Sequence, residues 1–479
     1  MTAKWTVAID QGTSSCRVFA VDEQGNVQAR KSAAFLPTRT ASGCSEYPAE
    51  PLLQVQLTLL NQLLDEVGPQ QVRALAVCSQ RSSVVLWNKQ TGKPLAPVLT
   101  WEDGRAVKEA QQVPFSQEEI HTQTGLFKTP FFSAPKIAWC LTHCPQAARA
   151  AQEGTLLVAP IASYLIWHLT AGQVFATDAT LAQRTLLWDI RNGQWSEALC
   201  RAFGVEIASL PRLQATVDDY GAYVYKGVAI PVRVCTADQQ AAAYYHRLQP
   251  GRSAINYGTG AFVLHHTGTR LAVLPGMLSS VAVRFADKPQ EFLLEGPIFA
   301  AGSALQWLQK QGFHFDIEQL DRLASQACNP IRFLPALGGL GAPYWDYRAA
   351  CCIENLSPRT VLPDWIAGTL QAVAGLVADV VYYLRNNGQE VTGPVSVSGG
   401  LARSEYLLQQ QADLLQLPLQ LCNDAESTVL GAARLAAPHV SVQPAGTLHT
   451  LTPACTAQQA QQQYRVWQEF VSRCRRKKI

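Results

Sequence analysis

Apolar and polar positions alternate in blocks at the start of the chain. Residues 7–9 are apolar and of strand length, residues 12–15 are small and polar, and apolar character resumes over residues 17–21. Two apolar segments joined by a short polar turn predict a β-hairpin. Glycine in the turn permits a tight backbone that points amide groups at one spot, and amides and hydroxyls gathered in this way suit an anion such as phosphate.

Asp10 stands directly before this turn. Its carboxylate would repel a bare phosphate, so its natural partner is the Mg²⁺ that accompanies nucleotides. An ordinary hairpin with a polar tip explains the same residues equally well.

The same pattern occurs a second time, about half the chain further on. Residues 8–13 read Ala-Ile-Asp-Gln-Gly-Thr, and residues 254–259 read Ala-Ile-Asn-Tyr-Gly-Thr before another apolar segment. A repeat at this distance predicts two related domains that each open with the same hairpin, rather than a solenoid of short units. Two phosphate-binding turns that face each other across a cleft would bind a nucleotide between them.

Segments with helical spacing lie between the strand-like segments. Leucines recur at helical intervals over residues 51–67, and residues 362–386 form a long amphipathic segment. Strands that alternate with helices predict an α/β fold. Because 479 residues are too many for one core, we expect two large domains.

Composition narrows the class of protein. Hydrophobic residues make up 48% and charged residues 16%, which are globular values, and a net charge of +3 is too small to indicate nucleic acid as a partner. The thirteen cysteines follow no regular framework and include no C-x-x-C pair, so we expect reduced thiols and no zinc site. We find neither a signal peptide nor an apolar stretch of transmembrane length, and we expect a soluble, cytoplasmic protein.

Several strand-like segments end in polar groups, and ligands of open α/β sheets bind at such strand ends. The residues at two of these ends that are candidates to line a pocket are Arg81, Trp101, Glu102, Asp103 and Arg105. Surface loops, with Arg105 paired to a nearby carboxylate, are the alternative.

Two further positions are candidates for helix starts. Asp238 follows an apolar strand at the N-terminus of a predicted helix, where the helix dipole favours its ionised form and where it can project into a cleft. The alternative for Asp238 is a simple N-cap. Ser133 could cap another helix, with Pro135 in its first turn.

Seven segments in this order resemble the FGGY family of carbohydrate kinases, and glycerol kinases most closely within it. They span residues 5 to about 435, so the resemblance covers essentially the whole chain. The segments are DQGTSS at 10–15, GL at 125–126 with FFSAPKIAW at 131–139, TADQQAA at 236–242, NYGTG at 256–260, EGP at 295–297 with QW at 306–307, GLGAPYW at 339–345 and SGG at 398–400.

The resemblance implies the actin-like/Hsp70-like ATPase fold (ribonuclease H-like), with two duplicated α/β domains and a cleft between them. The implied domains are 1–247 and 248–440, and a tail at 441–479 has no assigned function. The implied reaction transfers the γ-phosphoryl group of ATP to a hydroxyl group of a small sugar or polyol. We expect no nucleic-acid or membrane partner, and a homodimer stays open.

The resemblance also implies roles for individual residues. Asp10 would hold Mg²⁺ through water, and Asp238 would be the general base, since the acceptor hydroxyl must lose its proton. Residues implied to contact the phosphates are Thr13, Ser14, Arg17 and Thr259. Residues implied to border the nucleotide are Gly302, Gln306, Gly400 and Ser404. Residues implied to line the acceptor pocket are Arg81, Ser82, Trp101, Asp103, Phe131, Asp238 and Gln239.

The acceptor pocket is where the chain departs from glycerol kinases. These typically have glutamate where this chain has Ser82 and tyrosine where it has Phe131, and both groups hold glycerol hydroxyls. Residues 101–105, Trp-Glu-Asp-Gly-Arg, are similar to the Trp-x-Asp-x-Arg segment of pentulose kinases, whose aspartate contacts sugar. Because sites that bind hydroxyls owe their specificity to such pairs, we predict an acceptor other than glycerol, either a ketose such as a pentulose or a longer polyol.

Three alternatives stay open. The first is a glycerol kinase proper, the second is an ATPase or chaperone of the same superfold, and the third is a sugar-sensing protein that keeps the fold without turnover.

Overall fold

The computed structural model describes residues 4–41, 43–422, 426–437 and 449–476. The strands of its N-terminal half are β1 (Trp5–Gln11), β2 (Ser15–Val21), β3 (Val27–Ala34), β4 (Thr38–Arg39), β5 (Ser45–Tyr47), β6 (Val72–Ser79), β7 (Val84–Asn88), β8 (Val98–Leu99), β9 (Leu156–Pro160), β10 (Ala176–Asp178), β11 (Trp188–Asp189), β12 (Gln194–Trp195), β13 (Arg212–Gln214), β14 (Ala222–Tyr225) and β15 (Val228–Ala237). Its helices are α1 (Ala49–Val67), α2 (Val107–Gln112), α3 (Gln117–Thr124), α4 (Ser133–His143), α5 (Pro145–Gln152), α6 (Ile161–Leu169), α7 (Ala179–Ala182), α8 (Glu197–Ala202) and α9 (Asp238–Tyr245).

The C-terminal half continues the alternation of strands and helices. Its strands are β16 (Arg252–Tyr257), β17 (Ala261–Gly268), β18 (Leu278–Val283), β19 (Glu291–Ile298), β20 (Arg332–Leu334), β21 (Cys352–Glu354), β22 (Thr392–Ser398), β23 (Leu419–Leu421) and β24 (Thr450–Leu451). Its helices are α10 (Gly302–Lys310), α11 (Leu320–Ser325), α12 (Leu362–Asn386), α13 (Glu405–Leu415), α14 (Ser427–Ala436) and α15 (Ala457–Arg476).

The central sheets of the two halves share one topology. In the first, β3-β2-β1 are antiparallel neighbours and β1-β6-β15 are parallel neighbours, with β14 added at the edge. In the second, β19-β17-β16 are antiparallel and β16-β22-β23 are parallel, with β18 and β24 added at the two edges. This correspondence confirms the predicted pair of duplicated α/β domains.

Both predicted hairpins are present. Gln11 pairs with Cys16 across the first, and Tyr257 pairs with Ala261 across the second, so the second turn is one residue shorter. Each hairpin opens its own sheet, and the parallel strands that follow end at the same edge as the hairpin tip. The fold therefore gathers several strand ends around each tip.

Buried apolar faces hold the helices against the sheets. The leucines that predicted α1 are buried, except for the half-buried Leu57, and the helix packs against β2 and β3. The long helix α12 lies in the C-terminal core. Fully burying one such leucine or valine stabilises the fold by about 1.5–3 kcal/mol.

One expectation about apolar stretches was wrong. The 25-residue helix α12 contains an 18-residue window with a mean hydropathy of 1.4, which is enough to span a membrane by length and composition. However, 83% of that window is buried inside the protein, where its apolar side chains form the core of the C-terminal domain.

The segment that we separated as a tail is partly described by the structure, over residues 449–476. In that range β24 pairs with β23, and α15 contributes Tyr464, Phe470 and Val471 to the C-terminal core. Cys474 of α15 forms a disulfide with Cys352 of β21, whereas we had expected reduced thiols throughout.

Candidate active site

Two acidic side chains lie at the same edge of the N-terminal sheet. The strands β1, β6 and β15 are parallel, and their register aligns Asp10 with Cys78 and Cys78 with Thr236. Asp238 follows β15 directly, so only β6 separates the two carboxylates. They are close enough to repel each other electrostatically, and this repulsion is one cause of a raised pKa at Asp238.

Asp10 is a buried carboxylate with one cationic partner. Only 1% of the residue is exposed, and its Oδ2 accepts a hydrogen bond from Nε of Arg17 at 3.1 Å and another from Nη2 of Arg17. The Sγ of Cys78 lies 3.6 Å from Oδ1. Burial raises the pKa of Asp10, and Arg17 opposes that shift. A further cation at Oδ1 would favour the ionised form of Asp10.

Arg17 also connects the hairpin to the second half of the chain. Its Nη1 donates to Oε2 of Glu426 at 2.7 Å, directly before α14. The guanidinium group is therefore shared by two carboxylates, and it lies beside the turn that we predict to bind phosphate.

Asp238 is the first residue of α9, and its N-cap is Ala237, so the alternative of a simple N-cap was wrong. Its Oδ1 accepts a hydrogen bond from the backbone N–H of Gln239 at 2.7 Å. Burial raises the pKa of Asp238 to about 6, while Arg81 lowers it. A carboxylate with a pKa near the working pH is suited to general-base catalysis.

Arg81 joins the two domains beside Asp238. Its Nη1 donates to Oε1 of Glu295 on β19 at 2.6 Å, and its Nη2 donates to Oε1 of Gln239. Arg184 pairs with the other oxygen of Glu295. Burial alone would raise the pKa of Glu295, but the two guanidinium groups hold it well below its usual range.

The first hairpin tip carries three hydroxyl-bearing residues, of which Ser14 is exposed and Thr13 and Ser15 are half-buried. Gly12 donates its N–H to the carbonyl of Ser15 at 3.0 Å. Thr13 is held in place because Tyr47 donates to its carbonyl at 2.5 Å and Trp101 Nε1 donates to its Oγ1 at 2.9 Å. The tip is thus fixed by side chains from β5 and from the segment after β8.

The second hairpin tip carries the N-terminus of α10. Thr259 is exposed, and its carbonyl accepts hydrogen bonds from the N–H groups of Ala301 and Ser303, at 3.1 and 2.9 Å. A Cβ at Gly302 would lie 2.8 Å from the carbonyl oxygen of Gly258, so the close approach of helix and tip requires glycine. Gln306, one turn further along α10, is exposed.

The predicted diglycine turn follows β22. Gly399 has φ of 97°, and a Cβ there would lie 2.4 Å from the carbonyl oxygen of Tyr257, whereas Gly400 is exposed with open space around it. A 3₁₀ turn at Gly400–Arg403 leads to Ser404, the buried N-cap of α13. The Ser404 hydroxyl donates to Oδ1 of Asp321 at 2.5 Å, and its contact with a nucleotide stays a prediction.

Three predicted acceptor residues lie near Arg81. Ser82 has a left-handed backbone with φ of 62°, and the residues Trp101 and Phe131 are 42% and 44% exposed. Ser133 is the first residue of α4 and follows the N-cap Phe132, so the prediction that Ser133 caps the helix was wrong. Its hydroxyl instead donates to the carbonyl of Ser82 at 3.2 Å.

Asp103 is buried and paired inside the protein. Its Oδ2 accepts the N–H of Ser45 at 2.6 Å, and both of its oxygens accept from Nε of Arg105 at 2.9 Å. Arg105 also donates to Glu46 at 2.5 Å, which is the pairing that we gave as the alternative for this residue. Glu102 accepts two hydrogen bonds from Arg39. Contact between Asp103 and an acceptor stays a prediction.

Three buried charged residues of this region were missed. Glu295 and Lys136 lie within segments that carry the family resemblance, and a charged residue among apolar neighbours was the signal available for both. Arg184 offered no such signal, since it stands between the polar residues Gln183 and Thr185.

Sequence profiles of one family match both halves of the chain. The N-terminal domain of the FGGY family of carbohydrate kinases matches residues 5–244, and its C-terminal domain matches residues 253–439. The glycerol kinase of Lactococcus lactis subsp. lactis is 32% identical over 449 residues, which cover 90% of this chain and 89% of that protein. Glycerol kinase 1 of Lactiplantibacillus plantarum is 33% identical, and the match covers 91% of this chain and 88% of that protein.

Solved structures show the same fold. The crystal structure of Plasmodium falciparum glycerol kinase with ADP matches with a TM-score of 0.92 and 25% identity, over 99% of this chain and 98% of that chain. Xylulose kinase from Rhodospirillum rubrum matches with a TM-score of 0.87 and 22% identity over 98% of both chains, which shows likeness of fold alone.

Proposed function

Because the chain belongs to the FGGY family of carbohydrate kinases, a family of phosphotransferases that act on alcohol groups, we propose that it transfers the γ-phosphoryl group of ATP to a hydroxyl group of glycerol. The observation that carries this proposal is the grouping of Arg81, Asp238 and Gln239 at one sheet edge beside Asp10. A guanidinium, a carboxylate and an amide within two short segments suit a small ligand with three hydroxyl groups.

The proposed phosphate sites are the two hairpin tips. Thr13 and Ser14 would contact phosphate oxygens from the first tip, with Arg17 as the cation, and Thr259 would do so from the second. Gly302, Gln306, Gly400 and Ser404 would border the nucleotide. Phosphoryl transfer depends on the positioning of the reacting groups and on charge neutralisation more than on covalent chemistry. Hairpin tips that are held by hydrogen bonds from neighbouring segments would position the phosphates.

Asp10 would hold Mg²⁺ through water. No cluster of three or more His, Cys, Asp or Glu side chains that could hold a metal occurs in the described parts of the chain, so the protein alone offers few ligands. This donor set fits Mg²⁺, which is usually bound through one or two carboxylates together with substrate phosphates. When bound, the metal would neutralise charge on the phosphates.

Asp238 would act as the general base. A carboxylate within hydrogen-bond reach of the acceptor hydroxyl contributes roughly 10²–10⁴-fold to the rate. Arg81 and Gln239 would hold the other hydroxyl groups, and the exposed rings of Trp101 and Phe131 would form an apolar wall for the carbon chain.

We favour glycerol over the other acceptors because the two relatives described above, which are 32% and 33% identical over 90% and 91% of this chain, are glycerol kinases. A ketose or a longer polyol is the second candidate. Glycerol kinases typically have a glutamate carboxylate at the position of Ser82 and a tyrosine hydroxyl at the position of Phe131, and this chain lacks both. The cytoplasmic location stays a prediction from the sequence.

An acceptor panel tests the proposal. ADP release with ATP and Mg²⁺ would be measured without acceptor and with glycerol, longer polyols and pentuloses in turn. We expect acceptor-dependent release with the highest kcat/KM for glycerol. A pentulose or longer polyol that outperforms glycerol would overturn the acceptor, and release that is independent of any acceptor would indicate an ATPase.

A second experiment uses the residues in which the chain departs from glycerol kinases. Ser82→Glu combined with Phe131→Tyr adds two hydrogen-bonding groups to the proposed pocket. If glycerol is the acceptor, we expect its KM to fall while that of ATP stays unchanged, because the added groups bind hydroxyls rather than phosphates. An unchanged KM for glycerol would place these side chains outside its site.

A further inference from the structure

Lys136 on α4 is a completely buried lysine whose ammonium group contacts backbone carbonyls from three segments. Its exposed fraction is 0%, and its Nζ lies 3.2 Å from the carbonyl oxygen of Ser82, 2.6 Å from that of Thr100 and 2.6 Å from that of Phe131. An ammonium group has three N–H donors, so these three carbonyls use all of them.

The three segments carry the side chains that we assign to the acceptor pocket. Ser82 and Phe131 supply two of the carbonyls themselves, and Thr100 directly precedes Trp101. Without Lys136, Ser82 after β6, Thr100 after β8 and Phe131 before α4 would each present a carbonyl without this donor. One ammonium group thus sets the distances between three parts of the proposed pocket.

The contact with Ser82 also holds an unfavourable backbone conformation. Ser82 has φ of 62°, a left-handed conformation that residues other than glycine adopt only when their surroundings enforce it. Its carbonyl accepts hydrogen bonds from both Lys136 and the Ser133 hydroxyl. These two hydrogen bonds fix the backbone orientation of Ser82. Because Arg81 is joined to Ser82 by a planar peptide, they also restrict the orientation of Arg81.

Lys136 does not balance the charge of a neighbouring carboxylate. In the described ranges of the chain no carboxylate lies within 4.0 Å of its ammonium group, and burial lowers the pKa of Lys136 to about 7, with Asp103 raising and Arg105 lowering it. Burying a charge without a paired carboxylate is costly, so a lysine at this position serves a purpose other than stability.

We propose that Lys136 is a positioning residue that sets the affinity for the acceptor by holding the segments of Ser82, Thr100 and Phe131 in one arrangement. This inference rests on the proposed function, since it assigns these segments to the acceptor pocket. Lys136 touches neither substrate itself, and it acts through the backbone of the residues that do.

The experiment compares Lys136→Met with the wild-type protein. Methionine keeps most of the volume and removes all three donors. We expect the KM for the acceptor to rise by about 10- to 100-fold, since displacement of a positioned group by 1 Å can cost about that much. The KM for ATP should rise much less, because among these segments only that of Thr100 reaches a phosphate tip, through the hydrogen bond from Trp101 to Thr13.

Lys128→Met is the matched control. Lys128 also donates to two backbone carbonyls, those of Val113 at 3.0 Å and Phe115 at 2.9 Å, but neither segment belongs to the proposed pocket. We expect a loss of stability without a change in the KM for the acceptor. Equal increases in the KM for acceptor and for ATP in Lys136→Met, or an unchanged KM for acceptor, would overturn the inference.

Two further measurements keep the test decisive if Lys136→Met does not fold. Ser133→Ala removes only the second hydrogen bond to the Ser82 carbonyl, and we expect a few-fold rise in the KM for the acceptor with that for ATP unchanged. In the wild-type protein, raising the pH through about 7 removes one donor from Lys136, so the KM for the acceptor should rise. Neither change occurring would also overturn the inference.

Failure of the proposed function is separable from failure of this inference. If the wild-type protein phosphorylates no acceptor in the panel, the function itself is wrong. If it phosphorylates one and the Lys136→Met variant retains the same KM for it, only the role of Lys136 is wrong.

Discussion

Asp10 in the first hairpin and Asn256 in the second occupy equivalent positions, each two residues before the glycine of its turn. Asp10 is buried, stands opposite Arg17 across the hairpin, and has Cys78 as its neighbour on the parallel strand. Asn256 is exposed, stands opposite Phe262, and donates to Ser398 on its parallel strand at 3.0 Å. The backbone is repeated, but the charge is not.

This difference indicates a division of roles between the domains. The first tip combines a buried carboxylate with a guanidinium group and lies one strand from Asp238, so metal binding and base catalysis both belong to the N-terminal domain in our proposal. The second tip offers neutral groups and two glycines, Gly302 and Gly399, at which only a hydrogen atom fits. It can approach a nucleotide closely without adding charge.

The largest effect is expected from substitution of Asp238. Our proposal assigns no equivalent residue in the C-terminal domain. Asp238→Asn removes the proposed base, and we expect turnover to fall by about 10²–10⁴-fold while ATP and acceptor still bind. Initial rates together with binding isotherms for both ligands would measure this. Near-normal turnover would remove Asp238 from the role of base.

The melting temperature of the Asp238→Asn variant is the control for a loss of turnover through unfolding. Because burial raises the pKa of Asp238 to about 6 in the folded protein, the ionised form is disfavoured there, and stability is lost as the pH rises from the unfolded pKa towards the folded one. Asparagine should therefore melt at the same or a higher temperature at pH 7. Asp379→Asn, a buried carboxylate of the C-terminal domain, should leave turnover unchanged.

Asp10→Asn makes the first tip resemble the second. Loss of a carboxylate that holds a metal through water typically costs about 10- to 100-fold in metal affinity or activity, and we expect a loss of this size in kcat with a higher Mg²⁺ requirement. Titration of Mg²⁺ at fixed ATP would measure both quantities.

The reciprocal change, Asn256→Asp, is the matched variant. It adds a charge to the second tip, where we expect only a weaker affinity for ATP because the new carboxylate would repel phosphate. Equal losses of kcat in the two variants would contradict the proposed division of roles.

Both tips and their sheet edge could be predicted from the sequence because the information is local. A strand-length apolar segment, a glycine turn and a second apolar segment determine a hairpin wherever they occur, and the repeat at residue 254 predicted the second domain. Asp238 could be placed at a strand end for the same reason. These predictions need no knowledge of which distant segments meet.

The interdomain pairing could not be predicted because it joins distant segments. Arg81 and Glu295 are 214 residues apart, and nothing near either residue indicates the other. Asp103 illustrates the converse: its sequence neighbours resemble a sugar-binding segment, whereas its side chain is held by Arg105 and by the backbone of Ser45. The partner of Cys352 likewise depends on the packing of α15.

A smaller effect is expected from pH, and it separates the two acidic residues of the first domain. In our proposal activity requires Asp238 in its ionised form, and burial raises the pKa of Asp238 to about 6. We expect kcat/KM to increase about tenfold per pH unit below this value and to level off between it and about pH 7, where loss of the Lys136 proton begins to raise the KM for the acceptor. If kcat/KM measured at saturating Mg²⁺ does not change between about pH 5 and about pH 7, Asp238 is not the general base.

The smallest effect concerns the second tip alone. Gly302→Ala adds a Cβ that would lie 2.8 Å from the Gly258 carbonyl oxygen, so the tip and α10 must move apart. Overpacking of this kind costs about 1–3 kcal/mol, and we expect a lower melting temperature with a few-fold higher KM for ATP, because Thr259 lies on the displaced tip. The KM for the acceptor should not change, since our proposal places the acceptor site in the other domain. Gly338→Ala, at a position with open space around it, is the control and should alter neither constant. A rise in the KM for the acceptor alone would mean that the second tip serves the acceptor rather than the nucleotide.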